Sequence, residues 1–463
     1  MSFNRAAAHA PHRIAGGVSF LLLGFAGMFY GGIWKPAETT EKRSAPRQSV
    51  TPVQARGIMP LSQSTLPSFG GTDADNAPQP LNISKKKSPV FTVTNLAAPL
   101  PVGKRVELAS LSNTGTVLAT LYDPLPPALP NGRPARRPAP AAHVARFENG
   151  VWKPLPMPPG VAQVIAGEIN DRGDAVAVSV RFRRGKPSYN RLILYPSSGA
   201  LQDLGTLDAR FADPETTNFE RMRGVGEGGL SINNRGVITA MVGNTSWIRR
   251  PDGSANPVPS GVLSDFNETN MAVGYGKGKG GVPLLWRDIA MPSDSVPASL
   301  VPIRMGADGS SEPVLRGIPE CINNRGHSVM NVTIEANRGF RRQGLTAYYL
   351  VRDKKLRQIG CFNGFQRFST RINDQGDVVG FTETDQEKNV FRPHLYRRGE
   401  LYDLTDVAIR QGWRIVGAVD INNWGQIIAY GVRVDDSTSP PAPLLLSPSS
   451  TPAVKTATAR RSN

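Results

Sequence analysis

Cysteine is scarce: 463 residues hold two, Cys321 and Cys361. That excludes a disulfide-rich scaffold and leaves no CxxC pair for a zinc site. The two could form one bridge in an oxidising compartment, or remain buried thiols. Histidine is scarce as well, with five in the chain. His9 and His12 lie near the N-terminus, and His327 follows a turn glycine. His143 in "AHVARF" and His394 in "PHLYRR" hold the same position of a repeated strand. No HExxH, HxxxH or His/Cys spacing suggests a metal. No GxSxG opens a helix, and "YGKGKGGVP" from 275 lacks the strand and helix that flank a phosphate-binding loop. No metal or cofactor is expected. Acids are outnumbered, 37 against 54 Lys and Arg, and the resulting +17 favours anionic surroundings.

Only one long hydrophobic run exists, "IAGGVSFLLLGFAGMFYGGIW" at 14–34. As a helix it would rise ~31 Å, enough to cross a hydrocarbon core. Arg5 and Arg13 precede it, and Tyr30, Trp34 and Lys35 fall at its far end. A cleaved signal peptide is the rival, but the run is long and no A-x-A site follows. The expectation is an uncleaved anchor after a cytoplasmic tail at 1–13, with the rest exported to the periplasm or cell surface; cleavage would make the protein secreted. Residues 35–87 and 449–463 are rich in Pro, Ser, Thr and charge without sustained periodicity. They read as a disordered stalk and tail.

Between them, 88–448 repeats itself. "LSNTGTVLATL", "EINDRGDAVAVS", "SINNRGVITAMV", "CINNRGHSVMNV", "RINDQGDVVGFT" and "DINNWGQIIAYG" align on Gly115, Gly173, Gly236, Gly326, Gly376 and Gly425, and a worn copy, "DFNETNMAVGYG", has Asn270 there. Successive spacings are 58, 63, 34, 56, 50 and 49 residues. Each copy is a β-hairpin signature, in which Gly or Asn accepts the positive φ that closes the turn. Asn170, Asn233, Asn323, Asn373 and Asn422 therefore read as structural. A second hairpin follows in each unit, as in "NRLILYPSSGALQDLGTL" and "PHLYRRGELYDLTDV". Four short up-and-down strands in ~50 residues match the blade of a β-propeller. The array opens on "SPVFTVTNL", which resembles a fourth strand, and ends on "APLLLSP", which resembles a third. An N-terminal strand completing the last blade would remove the open seam. The expected fold is all-β, a propeller of seven blades, or six if the worn copy is only a loop.

The paired phrases, clearest in "RINDQGDVVGFT" with "RPHLYRRGELYDLTD", resemble the HAF family of probable extracellular repeats over roughly 90–447. The resemblance implies an exported or surface-associated propeller-like protein and brings no catalytic residues. Ser112 and Asn270 depart from its pattern.

Two functions follow. Loops between second and third strands carry Arg133, Arg136, Arg137, Arg181, Arg183, Arg184, Lys186, Lys277, Lys279, Arg338, Arg341 and Arg342, which would share one face of a propeller. Such a ring could hold an anionic polysaccharide, lipid headgroups or a protein through salt-sensitive contacts. Nothing resembles a recognition helix or stacking module, which argues against nucleic acid. The alternative is a glycan hydrolase using channel carboxylates, since Glu168, Glu320 and Asp420 lie at a similar register before the turns. The expectation is a membrane-tethered binding module rather than an enzyme.

Overall fold

The computed structural model describes residues 84, 88–124, 141–183, 186–205, 230–242, 245–258, 261–276, 282–290, 297–300, 303–305, 311–313, 317–335, 344–352, 355–362, 366–385, 390–436 and 439–449. The apolar run at 14–34, the stalk (Ser84 and Ser88 onward apart) and the tail beyond Ser449 lie outside them. Among the described residues, no helix is long and apolar enough to cross a membrane.

Antiparallel four-stranded sheets recur along the chain, each beginning with a strand that runs into one of the glycine or asparagine turns. One such sheet joins Ile318–Ile322, Ser328–Glu335, Gly344–Arg352 and Lys355–Phe362; the next joins Gln366–Ile372, Val378–Asp385, Val390–Arg397 and Glu400–Asp403. The worn copy is a full member, with Gly261–Phe266, Ala272–Gly276, Pro283–Trp286 and Ala298–Ser299 in order. The first two units merge into one eight-stranded sheet through a single parallel pair, Ala142 with Gln163. The arrangement is propeller-like and all-β.

Local sequence explains the turns. In the second copy, Gly173 N–H donates to Asn170 O at 3.0 Å and Asn170 N–H to Asp174 O at 2.9 Å. The aligned glycines have φ between 73° (Gly425) and 86° (Gly115), and Asn270 stands in at 63°. Asparagine tolerates that region because its short polar side chain can bond locally.

The leading asparagine does two jobs. Its Oδ1 caps its own turn: Asn233 accepts from the N–H groups of Arg235 and Val237, both at 3.1 Å. Its Nδ2 reaches the next turn, donating from Asn170 to Asn233 O at 3.0 Å, and from Asn323 to Asn373 O at 2.9 Å. The same bond recurs from Asn233, Asn267, Asn373 and Asn422, the last of these to Ser112 O at 3.1 Å. An aspartate would have no donor for the second job, and a serine is too short.

The following residue completes a cycle. Its N–H donates to the side chain of its counterpart in the next turn: Asn113 to Asp171, Asp171 to Asn234, Asn234 to Glu268, Glu268 to Asn324, Asn324 to Asp374, Asp374 to Asn423, and Asn423 back to Asn113, at 2.7–2.9 Å. The seven turns lie side by side around one axis.

Packing repeats the same order. Val117–Tyr122 is buried at every residue because both faces of its sheet are covered. Val117 enters a cluster with Ile428, Tyr430 and Leu445 of the last unit, whereas Leu118, facing the other way, packs with Val164, Ala166 and Ile193 of the second. That division follows from the two-residue period of a strand. The first and last strands of the repeat array meet as expected. Phe91–Asn95 pairs antiparallel with Ala442–Pro448, Phe91 opposite Pro448 and Thr94 opposite Leu445. Phe91 is fully buried beside Leu444 and Leu446.

One expectation needs correction. Residues 181–191 are not a loop: the strands Ala175–Arg183 and Lys186–Tyr195 run through them, with Arg183 opposite Lys186. Alternation of Val, Ser, Val, Arg and Phe lets the ladder continue to the hairpin tip. Of the two states left open for the cysteines, Cys321 takes that of a free buried thiol.

Candidate functional site

The innermost strand of each unit ends in a distinctive register. Two residues before the leading turn position stand Ser110, Glu168, Ser231, Asp265, Cys321, Arg371 and Asp420. A β-bulge lies next to this position in most copies, for example between Leu108 and Ser110, Leu263 and Asp265, and Phe368 and Arg371. Bulges re-aim the following side chain, and here Glu168, Asp265, Arg371 and Asp420 come close enough to act on one another's charge.

Neighbouring units are sewn together through these side chains. Asp420 Oδ2 accepts from Leu111 N–H at 2.9 Å, Asp265 Oδ2 from Ile322 N–H at 2.9 Å, and Glu168 Oε2 from Ile232 N–H at 3.1 Å. Ser110 Oγ accepts from Ile169 N–H at 3.5 Å. Asp420 Oδ1 also accepts from Ile421 N–H at 2.8 Å. Apart from this last bond, within its own strand, each acceptor meets the backbone of the next unit.

Charge is concentrated at this ring, with three carboxyls around one guanidinium. All four are half-buried. Burial pushes Glu168 up to about 8, reinforced by Asp265 and Asp420 and opposed by Arg371. Burial also raises Asp265 to about 6, against the pull of Arg371 and two backbone N–H donors. Asp420 is raised by burial, again against Arg371. The three acids in turn hold the Arg371 proton more tightly, although burial works the other way. Burial pushes the Cys321 thiol well above its ordinary value, with Asp265 adding to the effect. A thiol held protonated is a poor nucleophile.

The sequence-predicted acids divide. Glu168 and Asp420 belong to the ring. Glu320 does not: it sits one residue earlier, at the bulge between Pro319 and Cys321, and its Oε1 accepts from Asn331 Nδ2 at 3.0 Å. Asp265 and Arg371 were missed, although counting back two residues from each turn asparagine would have found both. Among the basic candidates, Arg181, Arg183 and Lys186 lie on the extended hairpin. Arg133, Arg136, Arg137, Arg184, Lys277, Lys279, Arg338, Arg341 and Arg342 lie outside the described residues.

Other polar groups have folding roles. Asp203 pairs with Arg191 at 2.6 Å, and Asp403 accepts from Thr405 N–H at 2.8 Å. Asp377 pairs with Arg397 at 2.8 Å. Burial drives His394 down to about 4, so it is neutral at physiological pH. Among the described residues, no group of three His, Cys, Asp or Glu is arranged to hold a metal ion.

No protein-family model matches the chain, and no curated protein matches it. Among solved structures it is similar to the β-propeller domain of the trilobed protease from Pyrococcus furiosus, described as having an open velcro topology (12% identity, TM-score 0.35, 56% of this chain and 76% of that one). It is also similar to TolB from Acinetobacter baumannii (12% identity, TM-score 0.31, 65% of this chain and 81% of that one). A third is the α-L-arabinofuranosidase Arb93A from Fusarium graminearum (9% identity, TM-score 0.30, 79% of this chain and 98% of that one). Likeness this distant carries no argument about activity. The class of the protein, all-β and propeller-like, rests on its own sheets and turns.

Proposed function

We propose that the chain is a seven-bladed propeller, tethered to a membrane by 14–34 and exposed outside the cytoplasm, that works as a binding module for an anionic surface polymer. The cycle of turn hydrogen bonds supports the blade number. Location rests on the apolar run, its flanking charges and the HAF-like phrases. The observation that carries a binding role over a catalytic one is the use made of the channel carboxyls. Glu168, Asp265 and Asp420 each accept backbone N–H groups from the neighbouring unit. Groups committed to holding the blades together are poorly placed to exchange protons with a substrate.

A salt series tests the reading. Binding to an anionic polymer should weaken as salt rises, because exposed charges are screened. Affinity indifferent to salt contradicts it. The hydrolase alternative draws support from the upward displacement of Glu168, which resembles a tuned general acid. It predicts glycan turnover that falls in Glu168→Gln or Asp420→Asn; turnover that is absent, or indifferent to both and to Glu320→Gln, rejects it.

A further inference from the structure

Trp424 stands at the tip of the seventh turn with 74% of its surface exposed. It is nevertheless held in place. Its Nε1–H donates to Asn113 O of the first turn at 2.6 Å, so the indole lies across the seam between chain ends with a face towards solvent. Tryptophan is seldom so exposed without a use, because most of its surface is apolar. The same position holds Arg172, Arg235 and Arg325 in the second, third and fifth turns, and all three are exposed. The hydrogen-bond cycle of the preceding residues sets all these tips around one mouth.

The acids in that cycle are occupied. Asp171 accepts from Asn113 N–H and Nδ2 and from Asn234 Nδ2, Glu268 from Asn234 N–H, and Asp374 from Asn324 N–H and Nδ2 and from Asn423 Nδ2. Arg172 is shared with Asp174 at 2.5 Å. The mouth offers outward a fixed aromatic face and the guanidinium groups of Arg235 and Arg325, with Arg172 exposed beside them but paired with Asp174.

We propose that this mouth binds an acidic polysaccharide, with a sugar ring stacked on Trp424 and carboxylates paired with Arg235 and Arg325. The proposal rests on the binding-module reading and deepens it by moving the contact to the turn face. The Arg181–Lys186 hairpin lies at the other end of the strands. A protein partner would call for a broader apolar patch than one indole. A polymer of rings, each bearing a carboxylate, supplies both the flat apolar face and the repeated charge. A guanidinium suits a carboxylate because its planar donors match the two oxygens. The excess of 54 basic over 37 acidic residues would draw such a polymer in.

The test titrates polygalacturonate into the full chain, following tryptophan emission and heat, with neutral dextran and phosphatidylglycerol vesicles as comparisons. Polygalacturonate should bind, dextran should not, and emission should shift. Trp424→Ala and the double variant Arg235→Gln/Arg325→Gln should each bind at least about tenfold more weakly. Trp424→Phe, which keeps a ring but loses the seam bond, should retain most of the affinity. Arg181→Ala/Arg183→Ala should bind as the parent does. Unchanged binding by Trp424→Ala overturns the proposal, as does a failure to bind polygalacturonate. A loss confined to Arg181→Ala/Arg183→Ala overturns it while leaving the module reading intact, and so does binding to vesicles alone.

Discussion

The backbone N–H of Asn423 donates to Asn113 Oδ1 at 2.7 Å, although 310 residues separate them in the chain. That bond is the last link of a cycle whose other members are 34 to 63 residues apart. Asn113 also donates through Nδ2 to Asp171 at 2.9 Å, so one side chain serves two seams. Asn113→Ala should lower the unfolding free energy by about 0.5–1.5 kcal/mol, the usual net contribution of a hydrogen bond, since its partners are only half-buried. Urea denaturation measures it, and a change below a few tenths would mean the turn cycle contributes little.

Ser112 is the one leading residue without an amide to pass to the next turn. Its Oγ caps its own turn, accepting from Thr116 N–H at 3.1 Å, but Asn170 O receives no bond of the kind the other six turns receive. Ser112→Asn should supply it and stabilise the protein by about 0.5–1.5 kcal/mol. A rise in the urea midpoint at constant slope is the expected result.

Stability should depend on the ionisation of the channel. Glu168 titrates at about 8 in the folded protein, against ~4.3 in an unfolded chain. The folded state thus binds the extra proton between those values. The contribution is fully present below the unfolded value and is lost as pH rises towards about 8. Asp265, raised to about 6, acts in the same direction. Glu168→Gln should therefore gain stability relative to the parent at alkaline pH, with the difference closing on acidification. Unfolding curves for both proteins across that window provide the check.

Arg371 is the counter-charge for the three channel acids. Arg371→Met should destabilise by at least about 1 kcal/mol at neutral pH, and acidification through about 6 should restore part of the loss by neutralising Asp265. A loss independent of pH would mean that the residue acts through packing alone.

Much of this was legible in the sequence, and the reasons for the rest are specific. Turn asparagines and glycines announce themselves because few residue types meet each local demand, and Asn270 could be recognised as a substitute for glycine because it too tolerates a positive φ. The pairing of Phe91–Asn95 with Ala442–Pro448 followed from the half-units at the two ends. The channel ring was harder, since a bulge shifts which residue faces the axis: Glu320 looks equivalent to Glu168 until the count from the turn is made, and then Cys321 takes its place. Arg371 was overlooked in a search for acids. Residues 181–191 looked like a loop because charge is common in loops, yet the alternation continued.

The central claim is that the two ends of the chain close one sheet. It is tested most directly by Thr92→Cys/Ser447→Cys with Cys321 and Cys361 replaced by Ser, since Thr92 lies opposite Ser447 in the pairing. Cα atoms so paired are about 4.5–5.5 Å apart, within reach of a disulfide. Mild oxidation should give an intramolecular disulfide in the folded monomer, seen as faster migration without reductant and a higher melting temperature. Thiols that stay reduced, or that cross-link only between molecules, would contradict closure.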